Sequence, residues 1–476
     1  MVKIVGRKSE IADLDSYTKS SKAEFIAVYG RRRIGKTYLI RQYFNNNFAF
    51  EVSGAIDGTP QEQMLLFVTS MRKLGYQGGI PGNWIEAFEE LKKLLEPIVN
   101  HTKKRAVLFF DELPCFETQK SGFLRAFANF WNTWANWHDN IMLIICGSAT
   151  SWMTDNIINN KSGLYNRLTH QIHLREFTLG ETKEFFNTQG FGYSNLMVLQ
   201  IYMAFGGVPY YLGYFRKGES YAQAIDRLFF NNGVLQNEFN QMFAALFRQP
   251  LPYIQVMKYL SEKKSGMSRK EIADGIKTID NGHLTKILNN LETCDFIRKY
   301  YTTGRNGSLK NSSCYYQLTD FYTIFYFTFK EKATVGRDYF QRNIGKPAIN
   351  TWLGLAFERV VAAHIQQLKS AIGIAGIYSE NYSWRSKNPD LNVQIDLLIN
   401  RADKVVNVCE IKYSSAEYIL TKDEYLKIQN RIAVYQSETK TKSAVWPILI
   451  TVFGTSGEYS NAITQQVAIT DIMNYN

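Results

Sequence analysis

In the first third of the chain, segments with continuous hydrophobic runs alternate with segments whose hydrophobic residues have helical spacing. Continuous apolar runs, typical of buried parallel strands, surround Val28, Phe109 and Ile144. The segments 61–74 and 84–99 instead repeat their apolar residues at helical spacing. Strands that alternate with helices predict an α/β domain with a doubly wound parallel sheet.

Shorter elements are predicted further along the chain. Helical spacing over 253–260, a Ser-x-x-Glu capping box at 268–271 and helical spacing over 282–291 predict three short helices. Strand-like segments at 296–301 and 314–318 follow, with a Gly-containing connection between them. Three helices and a β-hairpin predict a winged helix. The aromatic segment 320–329 is interpreted as core rather than as a platform for stacking bases.

The last third predicts a second α/β region. An amphipathic helix over 352–368 precedes two strand patterns, at 393–399 and 405–412. In the second strand, Glu410 and Lys412 share one face and Cys409 points to the other, because strand side chains alternate.

Length, charge and cysteine content indicate the number of domains, the kind of partner and the cellular compartment. A chain of 476 residues is long enough for roughly three domains at about 150 residues each. Lys and Arg outnumber Asp and Glu by 55 to 43, which makes nucleic acid a reasonable partner, although scattered surface charge gives the same count. Five widely spaced cysteines indicate reduced thiols in a cytoplasmic protein. We expect neither a signal peptide nor a membrane partner, since the longest apolar runs are too short to cross a bilayer.

The segment that follows the first predicted strand carries the clearest chemistry. Gly30, Gly35, Lys36 and Thr37 form the pattern G-x-x-x-x-G-K-T between a strand and a helix, which is a phosphate-binding P-loop. In such a loop, backbone N–H groups and the helix N-terminus face a triphosphate, the lysine reaches the outer phosphates and the hydroxyl ligates Mg²⁺. The predicted nucleotide contacts from this segment are Gly30, Arg31, Arg32, Arg33, Ile34, Gly35, Lys36, Thr37 and Tyr38.

Two acidic residues follow the buried run at 106–110. Asp111 and Glu112 lie at the predicted carboxyl end of a parallel strand, where open α/β sheets bind ligands. We expect Asp111 to hold Mg²⁺ and Glu112 to polarise the attacking water. ATP is favoured over GTP because the guanine motif N-K-x-D is missing from the sequence.

With an N-terminal Gly6-Arg7 segment as well, the chain resembles the AAA+/STAND-like P-loop ATPases often called archaeal-type ATPases. The resemblance implies that Gly6 and Arg7 lie near the adenine and that Ser148 is a sensor residue that bonds the γ-phosphate or the water. It implies that Arg167, in a Leu-Tyr-Asn-Arg segment where the family usually has Gly in place of Asn166, supplies positive charge in cis or to a neighbouring subunit. Pro209, in a Gly-Gly-Val-Pro-Tyr-Tyr-Leu segment, is implied near the adenine.

The C-terminal pattern is similar to the PD-(D/E)XK nucleases. Glu358 on the predicted helix, Asp396 on the first strand and Glu410-x-Lys412 on the second follow the order of that signature. The resemblance implies that the three carboxylates bind Mg²⁺ and that Asp396, Glu410 and Lys412 take part in phosphodiester cleavage.

The complete prediction is a P-loop ATPase core (1–178), a helical lid (179–248), a winged helix (249–330) and a restriction-endonuclease-like α/β domain (331–476). ATP, ADP and Mg²⁺ are the expected ligands, DNA is the expected partner, and an oligomer is compatible with a shared Arg167. In this hypothesis ATP shifts the lid and the winged helix and so gates the C-terminal domain. Two alternatives stay open: a STAND-like switch whose C-terminal domain only binds nucleic acid or protein, and a nucleotide-binding scaffold without hydrolysis.

Overall fold

The computed structural model describes residues 4–102, 104–159, 163–164, 166–230, 232–247, 249–263, 266–301, 314–330, 332, 338–386, 388–391 and 393–475. The chain divides into two units, Met1–Arg175 and Glu176–Asn476. No helix in the described ranges is long and apolar enough to cross a membrane.

A five-stranded parallel sheet forms the centre of the first unit. Its strand order is β2-β3-β4-β1-β5, and every neighbouring pair is parallel. This confirms the predicted parallel α/β sheet. The strands are β1 (Glu24–Tyr29), β2 (Phe50–Ser53), β3 (Ala106–Asp111), β4 (Ile141–Gly147) and β5 (His170–His173).

Helices cover both faces of this sheet. Phe25 and Ala27 of β1 belong to one buried cluster, whereas Ile26 and Val28 belong to another. Because alternate side chains of a strand point to opposite faces, each face has its own hydrophobic layer, as a doubly wound sheet requires. The helices are α1 (Lys8–Thr18), α2 (Lys36–Tyr43), α3 (Pro60–Arg72), α4 (Trp84–His101), α5 (Phe123–Thr133) and α6 (Thr150–Met153).

The second unit begins with short helices and a small sheet. Ser268 and Glu271 form the predicted capping box. The small sheet has the order β6-β8-β7, with antiparallel pairs. The elements are α7 (Leu179–Thr188), α8 (Asn195–Phe205), α9 (Pro209–Leu212), α10 (Tyr221–Leu228), α11 (Glu238–Leu246), α12 (Pro250–Ser261), β6 (Met267–Ser268), α13 (Arg269–Gly275), α14 (Gly282–Thr293), β7 (Ile297–Tyr301), β8 (Cys314–Leu318) and α15 (Phe321–Phe329).

A mixed sheet organises the rest of the second unit. Its order is β15-β13-β11-β10-β9; β11, β13 and β15 are parallel, and β10 is antiparallel to both of its neighbours. The elements are α16 (Tyr339–Asn343), α17 (Pro347–Ala363), α18 (Ile365–Ala371), β9 (Ser379–Arg385), β10 (Gln394–Arg401), β11 (Val405–Lys412), β12 (Tyr418–Ile419), α19 (Lys422–Thr439), β13 (Ala444–Thr451), β14 (Thr455–Ser456), β15 (Gln465–Ala468) and α20 (Ile469–Met473).

Two predictions about helices in this unit had different outcomes. The aromatic helix α15 is core, as predicted, with Tyr322 and Phe325 fully buried. The single helix predicted over 352–368 is wrong, because His364 separates α17 from α18. His364 Nε2 accepts a hydrogen bond of 2.8 Å from the backbone N–H of Leu179, so the ring is fixed where the helix breaks.

Candidate active site

The P-loop joins β1 to α2 with two glycines in conformations that disfavour other residues. Gly30 has φ 144°, and a Cβ atom there would lie 2.1 Å from the carbonyl oxygen of Leu174. Gly35 has φ 89°, and a Cβ atom there would have no neighbour within 4 Å. Gly30 therefore permits close backbone packing, whereas Gly35 leaves the loop open where a ligand would approach.

The first turn of α2 presents its amides on this open side. Gly35 is the residue that precedes the helix, and no side chain caps the helix there. The backbone N–H groups of the first turn have no partners within the helix, and the positive end of the helix dipole lies at the same place. This end of the helix fits a phosphate group.

Lys36 is held beneath the loop. Its side chain is buried, and Nζ donates hydrogen bonds of 2.9 Å to the Gly30 carbonyl and 3.0 Å to the Arg31 carbonyl. Burial lowers the pKa of Lys36, although the carboxylates of Glu112 and Asp111 act in the opposite direction. An ammonium group has three donors, so one N–H remains for an anion, whose charge would also offset the burial of the cation.

Asp111 and Thr37 form an oxygen pair beside Lys36. The Thr37 hydroxyl lies 3.0 and 2.9 Å from the two carboxylate oxygens of Asp111, at the end of β3. Burial, followed by the negative charge of Glu112, raises the pKa of Asp111. Mg²⁺ prefers such oxygen ligands, and a cation would stabilise the buried carboxylate, so both residues fit a bound magnesium ion.

Glu112 and Ser148 are brought together from the ends of two neighbouring strands. Glu112 has φ 47° and ψ 48°, and its Oε2 accepts hydrogen bonds from the Ser148 backbone N–H (3.1 Å) and hydroxyl (2.8 Å). The sequence predicted that Ser148 would contact the γ-phosphate or the water. In the structure its hydroxyl donates to the carboxylate that was predicted to polarise the water, and its contact with a nucleotide stays a prediction.

Arg7 joins the N-terminal segment to the P-loop. It follows Gly6, is buried, has φ 57°, and donates a hydrogen bond of 3.1 Å from Nη2 to the Ile34 carbonyl. Its Nη1 also lies 3.6 Å from the carboxylate of Glu10. The side chain therefore supports the loop directly, a role that its predicted place near the adenine did not include.

The other predicted nucleotide contacts differ in exposure. Arg31 and Ile34 are buried, whereas Tyr38 is 47% exposed on α2. Arg32 and Arg33 are half-buried, and Arg33 has φ 74°. Pro209 begins α9 in the second unit.

Arg167 lies in an exposed turn of the first unit, where its backbone N–H bonds to the Leu164 carbonyl at 3.2 Å. Asn166 has φ 55°, which explains why asparagine can stand where the resembled family has glycine. Tyr165 and residues 160–162 lie outside the described residues. Within the described part of the chain, no side-chain hydrogen bond or ion pair connects Arg167 to the P-loop or to Asp111 and Glu112.

The second candidate site lies on β11 in the C-terminal region. Glu410 and Lys412 share a face, as predicted, with Lys412 Nζ 2.8 Å from Glu410 Oε1, whereas Cys409 is buried on the other face. Arg431, on α19, donates a hydrogen bond to Glu410 Oε2. The sequence analysis missed Arg431, because only the fold brings α19 against β11.

The three carboxylates predicted to bind metal are not assembled into one group. Asp396 is exposed on β10 and accepts a 2.8 Å hydrogen bond from Gln394, while Glu358 is half-buried on α17. Among the described residues, no set of three or more His, Cys, Asp or Glu side chains could hold a metal ion. Each oxygen of Glu410 contacts a cation, Lys412 or Arg431.

Comparisons with known proteins show a family match over the N-terminal part of the chain, including the P-loop. Residues 4–215 match the family described as an ATPase domain predominantly from Archaea. The uncharacterized protein MJECL04 of Methanocaldococcus jannaschii is 23% identical over 423 residues, which cover 86% of this chain and 87% of that protein. The uncharacterized ATP-binding protein MJ0423 of the same organism is 44% identical over 46 residues, which cover 10% of this chain and 78% of that protein.

Two solved structures are also similar at low identity. The Walker-type ATPase PABY2304 of Pyrococcus abyssi has a TM-score of 0.46 at 18% identity, covering 68% of this chain and 96% of that chain. The Aeropyrum pernix ORC2 protein, in ADPNP–ADP complexes, has a TM-score of 0.43 at 11% identity, covering 76% of this chain and 96% of that chain.

Proposed function

Because residues 4–215 match an archaeal ATPase domain, we propose that this protein hydrolyses ATP at the P-loop and uses its nucleotide state to control nucleic-acid binding by the C-terminal region. The observation that carries the hydrolytic part is the arrangement of three pairs: Lys36 with the loop carbonyls, Thr37 with Asp111, and Glu112 with Ser148. Each pair supplies one requirement of phosphoryl transfer to water.

The P-loop binds the phosphate groups and neutralises their negative charge. The amides of the first turn of α2 and the Lys36 ammonium bind the phosphate oxygens. Thr37 and Asp111 are the residues that would hold Mg²⁺, which would supply neutralisation of the phosphate charge. Burial of Lys36 and Asp111 strengthens their interactions with a charged ligand, because the site has a lower dielectric constant than water.

Glu112 is the proposed base. Its carboxylate orients the attacking water and accepts its proton, and the two hydrogen bonds from Ser148 fix the carboxylate before the nucleotide arrives. Ser148 is therefore a positioning residue in this proposal. Preorganisation of this kind lowers the cost of reaching the reactive geometry.

ATP turnover by the full chain tests these roles. Lys36→Ala should abolish ATP binding, whereas Glu112→Gln should retain binding and lose roughly 10²–10⁴-fold in kcat, the usual contribution of a general base. Binding is measured by calorimetry and turnover by phosphate release. Equal turnover in wild type and Glu112→Gln would instead favour a nucleotide-binding scaffold.

For the second unit we propose a helical lid over 179–248, a winged helix over 249–330 and a nuclease-like domain over 331–476. The order α12, β6, α13, α14, β7, β8 and the sheet order β6-β8-β7 support the winged helix. Exposed His283 and Lys286 on α14, with Arg298 and Lys299 on β7, offer cations to phosphates. Between β7 and β8 the sequence adds two more basic residues, Arg305 and Lys310, which lie outside the described residues.

The proposed nucleic-acid partner is tested by salt-dependent binding of a DNA duplex. Lys286→Ala should weaken binding similarly for all sequences and reduce the slope of log K against log salt by about one phosphate contact. Lys442→Ala is a matched control, because Lys442 is also exposed but lies outside the proposed winged helix. A duplex that does not bind the wild type at low salt would contradict the proposal.

Metal-dependent DNA cleavage is a second candidate function. It is favoured by the direct contact of Glu410 with Lys412 and by Asp396 near the start of the neighbouring strand β10. Asp396→Ala and Lys412→Ala should both abolish Mg²⁺-dependent cleavage. If the wild type does not cleave, or if both variants still do, the C-terminal domain only binds its partner and the protein acts as a nucleotide switch.

A further inference from the structure

A small cavity between β11 and α19 collects positive charge. Lys412 from β11 and Lys427 and Arg431 from α19 line it together with the carboxylates of Glu410 and Glu424. None of the residues on α19 belongs to the nuclease-like signature. The cavity therefore has chemistry that the proposed cleavage site does not explain.

The size of the cavity limits its ligand. Its volume is about 30 Å³, and one water molecule needs roughly 10–15 Å³ on this measure. The space therefore suits two or three waters, or the oxygens of a single phosphate group, and excludes a nucleobase.

Glu410 fixes two of the cations side by side. Its Oε1 lies 2.8 Å from Lys412 Nζ, and its Oε2 accepts a hydrogen bond from Arg431 Nη1. An ammonium group has three N–H donors and a guanidinium group has five. Both cations therefore keep donors that can bind an anion in the cavity.

The second carboxylate of the cavity, that of Glu424, accepts hydrogen bonds at the start of α19. Glu424 belongs to the capping box of α19 and accepts hydrogen bonds from the hydroxyl groups of Thr421 and Tyr418. Its charge therefore stabilises the N-terminus of the helix, where acidic residues are favourable. The two carboxylates therefore leave the three cations of the cavity with a net positive charge.

Lys427 and Arg431 carry like charges one turn apart on the same helix. They are four residues apart on α19, a spacing that destabilises a helix by about 0.2–0.5 kcal/mol when both charges have the same sign. Within the described residues Lys427 has no ion-pair partner, and its side chain is exposed at the cavity. An anion between the two side chains would turn this repulsion into attraction.

The inner wall of the cavity is apolar. Leu420, Ile428 and Leu449 line it and are buried. An apolar wall lowers the local dielectric constant and strengthens hydrogen bonds between cations and a bound anion. These apolar side chains have no hydrogen-bond donors, so this wall cannot bind a second anionic group.

We propose that this cavity binds the terminal phosphate of a nucleic-acid strand, a phosphomonoester dianion held by Lys412, Lys427 and Arg431. The assignment rests on the proposed binding of nucleic acid by the C-terminal region. A terminal phosphate has one covalent attachment and enters a small cavity from one side. A phosphodiester within a strand must leave room for the chain in two directions.

The test compares two single-stranded DNA oligonucleotides of identical sequence, one with a 5′-phosphate and one with a 5′-hydroxyl. Binding to the full chain is measured by fluorescence anisotropy with a label at the 3′ end. The wild type should bind the phosphorylated strand at least about tenfold more tightly, a gain that corresponds to 1.4 kcal/mol.

Lys427→Gln should remove this preference and leave the affinity for the hydroxyl strand unchanged, since Lys427 is exposed and its replacement does not disturb packing. Arg431→Gln should also remove the preference for the phosphorylated strand, and Arg431→Lys should retain part of it. Lys442→Gln is the matched control: it removes one exposed positive charge away from the cavity and should preserve the preference.

Three results would overturn the assignment in distinguishable ways. Equal binding of both strands, unaffected by Lys427→Gln, would reject the phosphate cavity and leave nucleic-acid binding intact. Inorganic phosphate binding that is lost in Lys427→Gln, without a preference between strands, would assign the cavity to a free phosphate. No binding of either strand or of inorganic phosphate would reject both this assignment and the proposed partner.

Discussion

At the scale of single residues, the main feature of the nucleotide site is that its charged side chains, Lys36 and Asp111, are buried. Asp111 is 5% exposed, and burial and Glu112 raise its pKa. A carboxyl group whose pKa is higher in the folded protein than in the unfolded chain stabilises the fold below its unfolded pKa. This stabilisation is lost as the pH rises through the folded pKa. At neutral pH the ionised carboxylate is therefore a cost that Mg²⁺ would offset.

Asp111→Asn should consequently stabilise the nucleotide-free protein while abolishing Mg²⁺-dependent ATP turnover. The amide oxygen can still accept the hydrogen bond from Thr37, so the local packing is retained. We expect the thermal midpoint to rise by roughly 2–4 °C for each kcal/mol of relieved cost. Calorimetry in EDTA at pH 7 measures the change, and the wild type with Mg²⁺ is the control. A lower midpoint for the variant would show that the buried charge is compensated in the free protein.

Asn407 presents a second buried polar group with an unusual environment. Its side chain is fully buried in β11, and neither amide atom has a hydrogen-bond partner among the described residues. A buried polar group without partners costs about 1–3 kcal/mol. Leucine has a similar shape, so Asn407→Leu should raise the free energy of unfolding by about 1–3 kcal/mol. Urea denaturation measures this change. Destabilisation would indicate that a bound water or another group satisfies the amide.

At the scale of elements, one neutral histidine lies at the break between α17 and α18. The Nε2 atom of His364 accepts the N–H of Leu179, so the ring proton resides on Nδ1 and points to the Val360 carbonyl at 2.8 Å. Burial lowers the pKa of His364 to about 4, and the hydrogen bond to Val360 acts in the opposite direction. Protonation would replace the acceptor at Nε2 with a donor and would break the contact with α7.

Stability should therefore fall as the pH drops from about 6.5 to about 4. A histidine with a lowered pKa stabilises the fold above its unfolded pKa and loses this contribution as the pH approaches the folded value. The difference between 6.5 and about 4 corresponds to roughly 3 kcal/mol at 1.36 kcal/mol per pKa unit. Urea unfolding followed at several pH values measures the loss. In His364→Gln the slope over this range should be smaller; an unchanged slope would assign the loss to other groups.

The same elements show what the sequence could predict. The strands β1, β3 and β4 were predictable from their continuous apolar runs, and the helices α3 and α4 from apolar residues at helical spacing. The break at His364 was not, because the contact found there is with the backbone of Leu179, far away in the sequence. Within the sites, Lys36, Thr37 and Asp111 follow local motifs, whereas the contacts of Ser148 with Glu112 and of Arg431 with Glu410 require strands and helices to pack.

At the scale of the whole molecule, the central claim is that nucleotide state changes affinity for nucleic acid. Coupling between two sites typically has a free energy of about 1–3 kcal/mol, or a 5–150-fold change in affinity. Such coupling requires the two nucleotide states to differ in their contacts with the rest of the chain. The Glu112→Gln variant is suited to measuring this coupling, because it is expected to bind ATP without hydrolysing it.

The most direct test is the dissociation constant of a DNA duplex from the full-length Glu112→Gln protein, measured with Mg²⁺ and saturating ATP and again with ADP. We predict at least a fivefold difference between the two states, and no difference for Lys36→Ala, which should not bind nucleotide. Identical affinities with ATP and ADP, in a protein that calorimetry shows to bind both, would contradict the account.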